Sequence, residues 1–358
     1  MRIVAGVDCH KSSHTVVFLN EIGKVCGELT FPTSEAGYKS ALEIAAKLGC
    51  HEWGLEGSGC YGYAFAVFAA AEAVQVFDVP GILTQRNRKH SMRRAKSDIN
   101  DARAIAEVVL RECDRLAKFS HAVMQRALRM RYDQRDRCVR ERTKAVNRLR
   151  GAALLIGVSE LPEDITPNRK ASRLASCVEE LRSSVSADFA LSAILDEIDD
   201  ACEAIRLLNA KIKTIEQHIR PLVRSAAPDL LKVHGISDVS AAGLIGHTGD
   251  IRNCRDASAF ATKCGVAPVE CSSGRSTSVR LNVGGDRQLN RLLHVAAMSQ
   301  VRAASHEGRK YYDRKRAEGK THLAAMRCLK RTLATIVFYR LRAADAILSA
   351  GNNRPVAA

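Results

Sequence analysis

The sequence contains few aromatic side chains and no long apolar run. Phe, Trp and Tyr make up 5% of its 358 residues, which disfavours binding of single strands by base stacking. The longest apolar stretch, residues 64–71, stops at Glu72, well short of the ~18 residues that a membrane-spanning helix needs. The N-terminal residues MRIVAGVDCHK reach Asp8 too soon for a signal peptide. We therefore expect no membrane partner.

Paired cysteines are also missing. The 12 cysteines are scattered along the chain, and no two of them have the CxxC spacing. This distribution argues against a structural zinc site and against a disulfide framework. It is typical of a reduced, cytoplasmic protein.

The chain has fewer acidic than basic residues. Lys and Arg total 55 against 39 Asp and Glu, a net charge of +16, and residues 86–150 alone hold 20 basic and 8 acidic side chains. A solvated charged face usually explains a charge run. An excess of one sign instead favours a polyanion held by its backbone phosphates, such as double-stranded DNA or folded RNA. The candidate contacts are Arg86, Arg88, Lys89, Arg93, Arg94 and Lys96.

The first third of the chain has the pattern of an α/β domain with a mixed sheet. Short apolar or β-branched runs predict strands, and longer amphipathic or Ala-rich runs predict helices. The predicted strands cover residues 3–7, 15–19, 29–31, 51–55 and 74–79, and the predicted helices cover 35–48, 61–73 and a stretch from Asp98 onward.

Strand signals are absent from residues 120–220, where two long helices are predicted. The second helix carries a heptad seam at Ile194, Ile198, Ala201, Ile205, Leu208, Ile212, Ile215 and Ile219, which is typical of a coiled coil. Pro221 is expected to end it. The first helix, about residues 123–156, has a ragged seam. The two helices either fold back on each other or pair with another subunit.

Four carboxylates stand at positions where strand ends and a helix face can bring them together. Asp8 and Glu56 follow predicted strands, and Asp98 and Asp101 are three residues apart on one helix face. Crowded carboxylates repel one another unless a cation is present. Mg²⁺ prefers such oxygen ligands and keeps waters for substrate phosphates. Surface acids and helix caps are the alternative explanation for any one of them.

These acids lie in three motifs that carry a family resemblance: GVDCHK, GLEGSGCYG and KSDINDARAIA. The set resembles the DEDD transposases of insertion-sequence family 110 and the related DNA invertases. The resemblance implies an RNase H-like, RuvC-like N-terminal domain. It also implies that Asp8, Glu56, Asp98 and Asp101 bind Mg²⁺ and are catalytic.

A second block resembles the C-terminal signature of the same family. Residues 265–274 read GVAPVECSSG, and NVGGDRQLNRLL follows at 282–293. The resemblance places the catalytic nucleophile on Ser273, with Ser272 as the other candidate, while Cys271 stands where the family often has an aromatic residue. Composition alone would make SSGRSTS a polar loop. Arg280 and Arg287 are candidate phosphate contacts.

Two further segments complete the interpretation. Residues 231–247 are similar to a helix-hairpin-helix, whose turn amides can hold a phosphate, although a plain packing turn is nearly as good an explanation. The basic segment YYDRKRAEGK adds Arg314 and Lys315 as candidate nucleic-acid contacts.

The predicted organisation has four parts: a RuvC-like DEDD domain, a coiled-coil region, a mostly helical transposase domain with the serine motif and a flexible tail. Their boundaries are expected at residues 1–118, 119–222, 223–346 and 347–358.

The resemblance implies cutting, exchange and rejoining of donor and target DNA, with a covalent serine intermediate. It further implies guidance by a structured noncoding bridge RNA and assembly as a homo-oligomer, a dimer or a tetramer. A metal-only junction resolvase or nuclease and a site-specific DNA invertase are alternative enzymes. An inactive copy that only binds nucleic acid is a further alternative.

Overall fold

This computed structural model describes residues 2–90, 97–155, 189–273, 276–282 and 284–349. For residues 86–90 and for the strands within 269–281, only the backbone is described. The chain divides into two compact units, residues 1–121 and 122–358, and each is described by itself.

The first unit is built on a six-stranded mixed sheet in the order β3-β2-β1-β4-β5-β6. The first three strands are antiparallel neighbours, β4 and β5 continue parallel to β1, and β6 is antiparallel to β5. The strands are β1 (Ile3–Cys9), β2 (Ser13–Asn20), β3 (Val25–Pro32), β4 (Glu52–Glu56), β5 (Gln75–Asp78) and β6 (Ala117–Lys118).

Helices connect and cover this sheet, so the expected mixed α/β class is confirmed. Neither the helix after β5 nor the two-residue strand β6 was predicted. The helices are α1 (Glu35–Leu48), α2 (Tyr63–Ala71), α3 (Gly81–His90) and α4 (Asp98–Glu112), with a 3-10 turn at Cys113–Arg115.

Helix α4 packs unusually close to β1, and a glycine makes this possible. A Cβ atom added to Gly6 would lie 2.1 Å from the Ala106 nitrogen and 2.2 Å from the Ala102 oxygen. The helix face buried there includes Ile105 and Val109. The close approach fixes the position of α4 relative to the strand that carries Asp8.

The second unit is mostly helical, as expected, apart from one two-stranded hairpin of β7 (Pro268–Ser273) and β8 (Ser276–Leu281). Short 3-10 helices occur at Pro228–Lys232 and Ile251–Asn253. The helices are α5 (Val123–Leu155), α6 (Phe189–Ala226), α7 (Asp238–Thr248), α8 (Ala257–Lys263), α9 (Arg287–Arg302), α10 (Glu307–Ala317), α11 (His322–Ala343) and α12 (Asp345–Ser349).

The two long helices fold back on each other. Leu149 and neighbouring small residues of α5 share a buried cluster with Leu195, Ile198 and Ile205 of α6. All eight positions of the predicted heptad seam are buried or half-buried within this chain. The seam therefore needs no second subunit to cover it, and it does not by itself support an oligomer.

The prediction that Pro221 ends the second helix is wrong, because α6 continues to Ala226. A proline inside a helix removes one hydrogen bond and costs about 3 kcal/mol. Ile219, Val223 and Ala226 are fully buried in the core of the second unit on either side of the proline. Their burial offsets that cost, at about 1.5–3 kcal/mol for each large side chain.

The segment compared with a helix-hairpin-helix is only partly as predicted. A 3-10 helix of five residues precedes the turn, and α7 follows it. Gly235 in the turn has φ +88°, a conformation that side chains disfavour.

The predicted domain boundary between residues 222 and 223 lies inside α6. The division into four parts stays a prediction, and residues 350–358 of the tail lie outside the described residues. Among the described helices, none is long and apolar enough to cross a bilayer.

We predict that Gly6→Ala destabilises the first unit by about 1–3 kcal/mol or more, because the new methyl group meets the backbone of α4. Chemical denaturation measures this change. Gly27→Ala is the matched control in the same sheet, since its Cβ would meet only ordinary contacts at 3.6 Å. Equal stability of the two variants would contradict the proposed close packing.

Candidate active site

Three elements place the four predicted acids at one edge of the mixed sheet. Asp8 of β1 and Glu56 of β4 are direct register partners on parallel neighbouring strands. Asp98 is the first residue of α4, and Asp101 follows three residues later on the same helix. Ser97 fixes the start of that helix, because its hydroxyl accepts a hydrogen bond from the Asn100 amide at 3.2 Å.

His10 joins two of these carboxylates. Its Nε2 atom lies 3.2 Å from Asp8 Oδ2 and 3.4 Å from Asp98 Oδ1. The Asp8 side chain is only 15% exposed, whereas that of Asp98 is 62% exposed. Asp8 therefore lies at the inner end of the cluster and Asp98 at the solvent side, where a large substrate has access.

The pKa of Asp8 is affected by all three of the other acids. Burial raises the pKa of Asp8 above its ordinary value, and His10 acts in the opposite direction. Asp101, Asp98 and Glu56 each raise the pKa further by charge repulsion. The cluster thus carries an electrostatic strain that a bound cation would relieve.

Helix α3, which sequence reasoning missed, holds Glu56 in place. The buried Thr84 hydroxyl donates to Glu56 Oε2 at 2.8 Å. A Cβ atom at Gly81 would lie 2.6 Å from Glu56 Oε1. The glycine at the start of α3 therefore leaves just enough room for the carboxylate.

The residues present fit a divalent cation. Ligand atoms of Asp8, His10 and Asp98 lie within 4.8 Å of one another, close enough to surround one ion. Carboxylate oxygens suit Mg²⁺, and an imidazole nitrogen also suits Mn²⁺ or Zn²⁺. Sequence reasoning missed His10, and its only signal there was its position two residues after Asp8.

The predicted nucleophile lies in the second unit, near the tip of the β7–β8 hairpin. Ser273 is the last residue of β7 and pairs in register with Ser276, while Ser272 pairs with Thr277. The expectation of a polar loop from composition alone is therefore wrong, because this segment forms paired strands. Arg280 lies on β8 of the same hairpin.

The two halves of the serine signature meet at the base of this hairpin. A Cβ atom at Gly285 would lie 2.2 Å from the Gly265 nitrogen, so the two backbones cross in direct contact. The Asn290 amide donates to the carbonyls of Cys264 and Gly265 at 3.0 and 3.1 Å. Asn282 donates to Thr262 at 2.8 Å. The downstream motif thus anchors the strand that leads to Ser273.

The basic candidates are spread over both units. Arg287 begins α9 and is exposed. On α10, Arg314 lies 5.1 Å from the Tyr311 ring centroid, and Lys315 pairs with Glu318 at 2.8 Å. The backbone of α3 carries Arg86, Arg88 and Lys89, whereas Arg93, Arg94 and Lys96 lie outside the described residues.

Comparison with protein families identifies the class. A transposase model of the DEDD IS110 type matches residues 5–157, which include all four acids. A second model, described as the transposase IS116/IS110/IS902 family, matches residues 227–313, which include Ser273. Together they cover about two thirds of the chain.

Similar proteins extend over most of the chain. The "Insertion element IS116 uncharacterized 44.8 kDa protein" of Streptomyces clavuligerus is 24% identical over 95% of both chains. The corresponding IS110 protein of Streptomyces coelicolor is 24% identical over 95% of this chain and 94% of its own. The "Transposase for insertion sequence element IS1328" of Yersinia enterocolitica is 29% identical over 55% of this chain and 57% of its own.

Two solved structures of Thermus thermophilus RuvC also match. One, in complex with Holliday junction substrate, has 15% identity and a TM-score of 0.25, and the match covers 30% of this chain and 90% of RuvC. The other has 16% identity and a TM-score of 0.24, covering 29% and 90%.

The mixed sheet with its edge of carboxylates and the two matched models define an insertion-sequence transposase, a DNA-cleaving recombinase. The chain belongs to the IS110 family.

We predict that Asp8→Asn raises the free energy of unfolding at neutral pH when divalent cations are removed. Because the pKa of Asp8 is raised in the folded state, its ionised form disfavours folding. That cost grows as pH rises from the unfolded pKa through the folded pKa, and Asn lacks it. The measurement is thermal denaturation in a chelator across this pH range.

The same variant should lose most of the stabilisation by added Mg²⁺ or Mn²⁺. For the unsubstituted protein this stabilisation is about 2.7 kcal/mol at one hundred times the Kd. Asp114→Asn, an exposed aspartate of the same unit, is the control. Equal metal stabilisation of Asp8→Asn and Asp114→Asn would rule out a metal site at Asp8.

Proposed function

We propose that this transposase cuts, exchanges and rejoins DNA strands with Mg²⁺ held by Asp8, Glu56, Asp98 and Asp101 and with Ser273 as covalent nucleophile. The observation that carries the proposal is geometric: Asp8 and Glu56 are register partners, and ligand atoms of Asp8, His10 and Asp98 lie within 4.8 Å of one another. A cluster of carboxylates is suited to binding a cation, which in turn can bind a phosphate that the acids alone would repel.

The acids would position the metal at the reacting phosphate. Asp8 and Glu56 come from neighbouring strands and His10 bridges Asp8 and Asp98, so the ligands are held by rigid elements. When bound, Mg²⁺ stabilises charge on a phosphate and activates an attacking oxygen. The exposed Asp98 leaves room for the DNA strand on the solvent side.

The serine step conserves the energy of the phosphodiester bond. The bond between Ser273 Oγ and phosphorus forms as the bond from phosphorus to one deoxyribose oxygen breaks. The hydroxyl loses its proton, and the departing oxygen gains one. Reversal of this step by another DNA end joins the new strand. A serine hydroxyl needs a base or metal for such an attack because it is a weak nucleophile at its ordinary pKa.

Double-stranded DNA, both donor and target, is the proposed substrate, and a structured bridge RNA is the proposed guide. The net charge of +16 and the basic region at 86–150 suit contacts to backbone phosphates. The scarcity of aromatic residues suits duplexes or folded RNA more than single strands. A homo-oligomer would bring together two DNA ends, although the seam between α5 and α6 is covered within the chain.

A metal-only nuclease that resolves junctions is the second candidate. It is favoured by one observation: the acidic cluster is assembled within the first unit, whereas Ser273 belongs to the second. Such an enzyme would need the acids but would form no covalent intermediate. The two proposals therefore differ in whether DNA becomes attached to the protein.

We predict that Ser273→Ala abolishes a covalent protein–DNA adduct, because no hydroxyl remains to attack phosphorus. Nicked DNA carrying the element end, incubated with Mg²⁺ and denatured before electrophoresis, reveals the adduct. Ser272→Ala is the matched control and should keep it. An adduct that persists in Ser273→Ala disproves the assigned nucleophile.

The same assay separates the remaining functions. Asp98→Ala should reduce cleavage by about two orders of magnitude or more, as loss of an electrostatic catalytic group typically does. Cleavage without any adduct in the unsubstituted protein supports the metal-only nuclease. Absence of both, with the flanking RNA supplied, supports a copy that only binds nucleic acid.

We also predict that recombination depends on a transcript from the noncoding flank of the element. Changing the loop that pairs with the target should redirect insertion to a matching changed target, because base pairing would carry the sequence information. Insertion sites are mapped by sequencing, with the unchanged RNA and changed target as control. Unaltered insertion sites would refute RNA guidance.

A further inference from the structure

A cavity of about 750 Å³ lies at the base of the hairpin that carries Ser273, within the second unit. One wall is the backbone of residues 265–268, which leads directly into β7. Residues of α11 form another part of the lining, and Asn290 and His294 of α9 contribute to it. The cavity is large enough for a phosphate together with its adjoining sugars.

The lining is strongly basic. Among the described lining residues there is no carboxylate, and the cationic side chains are Lys320, Arg327, Lys330 and Arg331. Burial, followed by repulsion from Arg327, lowers the pKa of Lys330. Burial, followed by repulsion from Lys330, also lowers the pKa of His294. An anion in the cavity would stabilise the charged form of Lys330.

Not every cation in the lining is available. The Arg331 guanidinium donates to Ser258 at 3.0 Å and to Thr335 at 3.1 Å, so it serves the packing of α8 against α11. In the part of the chain that the structure describes, Lys330 and Arg327 have no carboxylate partner. Both belong to α11, and each still has hydrogen-bond donors that an anion could accept from.

Lys330 is linked to the hairpin through one intermediate residue. Its Nζ atom donates to Asn290 Oδ1 at 2.8 Å. The amide nitrogen of the same Asn290 donates to the carbonyls of Cys264 and Gly265, at the start of the strand connection. A ligand on Lys330 is therefore two hydrogen bonds away from the backbone that positions Ser273.

The wall between the cations suits a sugar. Leu323, Ala324 and Met326 of α11 and Val266 beside the hairpin line the cavity with apolar surface. A phosphodiester backbone alternates charged phosphates with largely apolar deoxyribose rings. A free inorganic anion has no apolar surface that could pack against these side chains. The mixture of cationic and apolar lining favours a nucleic-acid strand over a small ion.

We propose that this cavity binds a backbone phosphate of the DNA strand that Ser273 attacks, with Lys330 and Arg327 as its ligands. Lys330 also acts as a positioning residue, because its bond to Asn290 couples the bound phosphate to the base of the hairpin. This inference rests on the proposed role of Ser273, since it takes DNA rather than RNA as the strand lying against the hairpin.

The test is the salt dependence of DNA binding by the full-length protein, measured by fluorescence anisotropy with a labelled duplex of the element end. Each lost phosphate contact should lower the slope of log K against log salt by about 0.9. Binding at 0.15 M salt should weaken roughly five-fold for Lys330→Met and for Arg327→Gln. Arg342→Gln, an exposed arginine of the same helix outside the cavity, should behave as the unsubstituted protein.

Arg327→Gln keeps the test valid if Lys330→Met fails to fold, because Arg327 is exposed. Unchanged slopes for the variants that fold overturn the proposal, and so does a loss seen with duplex RNA but not with DNA. If Ser273→Ala keeps its adduct, the proposed nucleophile fails, while the Arg327 and Lys330 slopes still decide whether the cavity binds DNA.

Discussion

The meeting of four carboxylates at the ends of two strands and the start of a helix is the constraint on which the candidate site depends. The parallel register of β1 and β4 puts Asp8 beside Glu56, and the cap at Ser97 starts α4 at Asp98. Close approach of α4 to β1 is possible only because residue 6 is glycine. A fold that concentrates negative charge in this way gives up stability in the absence of a cation, and it gains affinity for one.

The second unit contains a comparable cluster of positively charged side chains. Around the hairpin base, burial lowers the pKa of Lys330, and the charge of Arg327 lowers it further. In each cluster a ligand of opposite charge would stabilise the charged side chains: a divalent cation for the acids and a phosphate for the bases. Both ligands would be components of the proposed reaction. Sites of this kind are expected where function, and not stability, has selected the residues.

Sequence periodicity predicted the elements whose cores are apolar. The helices Glu35–Leu48 and Val123–Leu155 lie within one residue of expectation, because their buried faces have helical spacing. Strands β7 and β8 were missed because five of their twelve residues are serine or threonine and their few apolar residues form no long alternating run. The continuation of α6 past Pro221 was missed because tertiary packing overrode a local preference.

The sequence predicted the four acidic residues of the candidate site, but not the residues that contact their side chains. Asp8, Glu56, Asp98 and Asp101 stand in recognisable motifs, and all four contribute to one electrostatic field. His10 and Thr84 carry no pattern in the sequence that distinguishes them from ordinary surface or core residues. Their roles come from contacts between elements, 3.4 Å from His10 to Asp98 of α4 and 2.8 Å from Thr84 of α3 to Glu56 of β4.

The crossing of Gly265 and Gly285 has a consequence for genetics. A side chain at residue 285 would force apart two backbone segments that are 20 residues apart in sequence, whereas Gly265 has φ +66°, a conformation that side chains disfavour. A mutational scan would then report loss of function at these glycines for a reason that lies in the backbone. Part of the motif around Ser273 is thus explained by the packing of the backbone, and only its remaining residues are candidates for a chemical role.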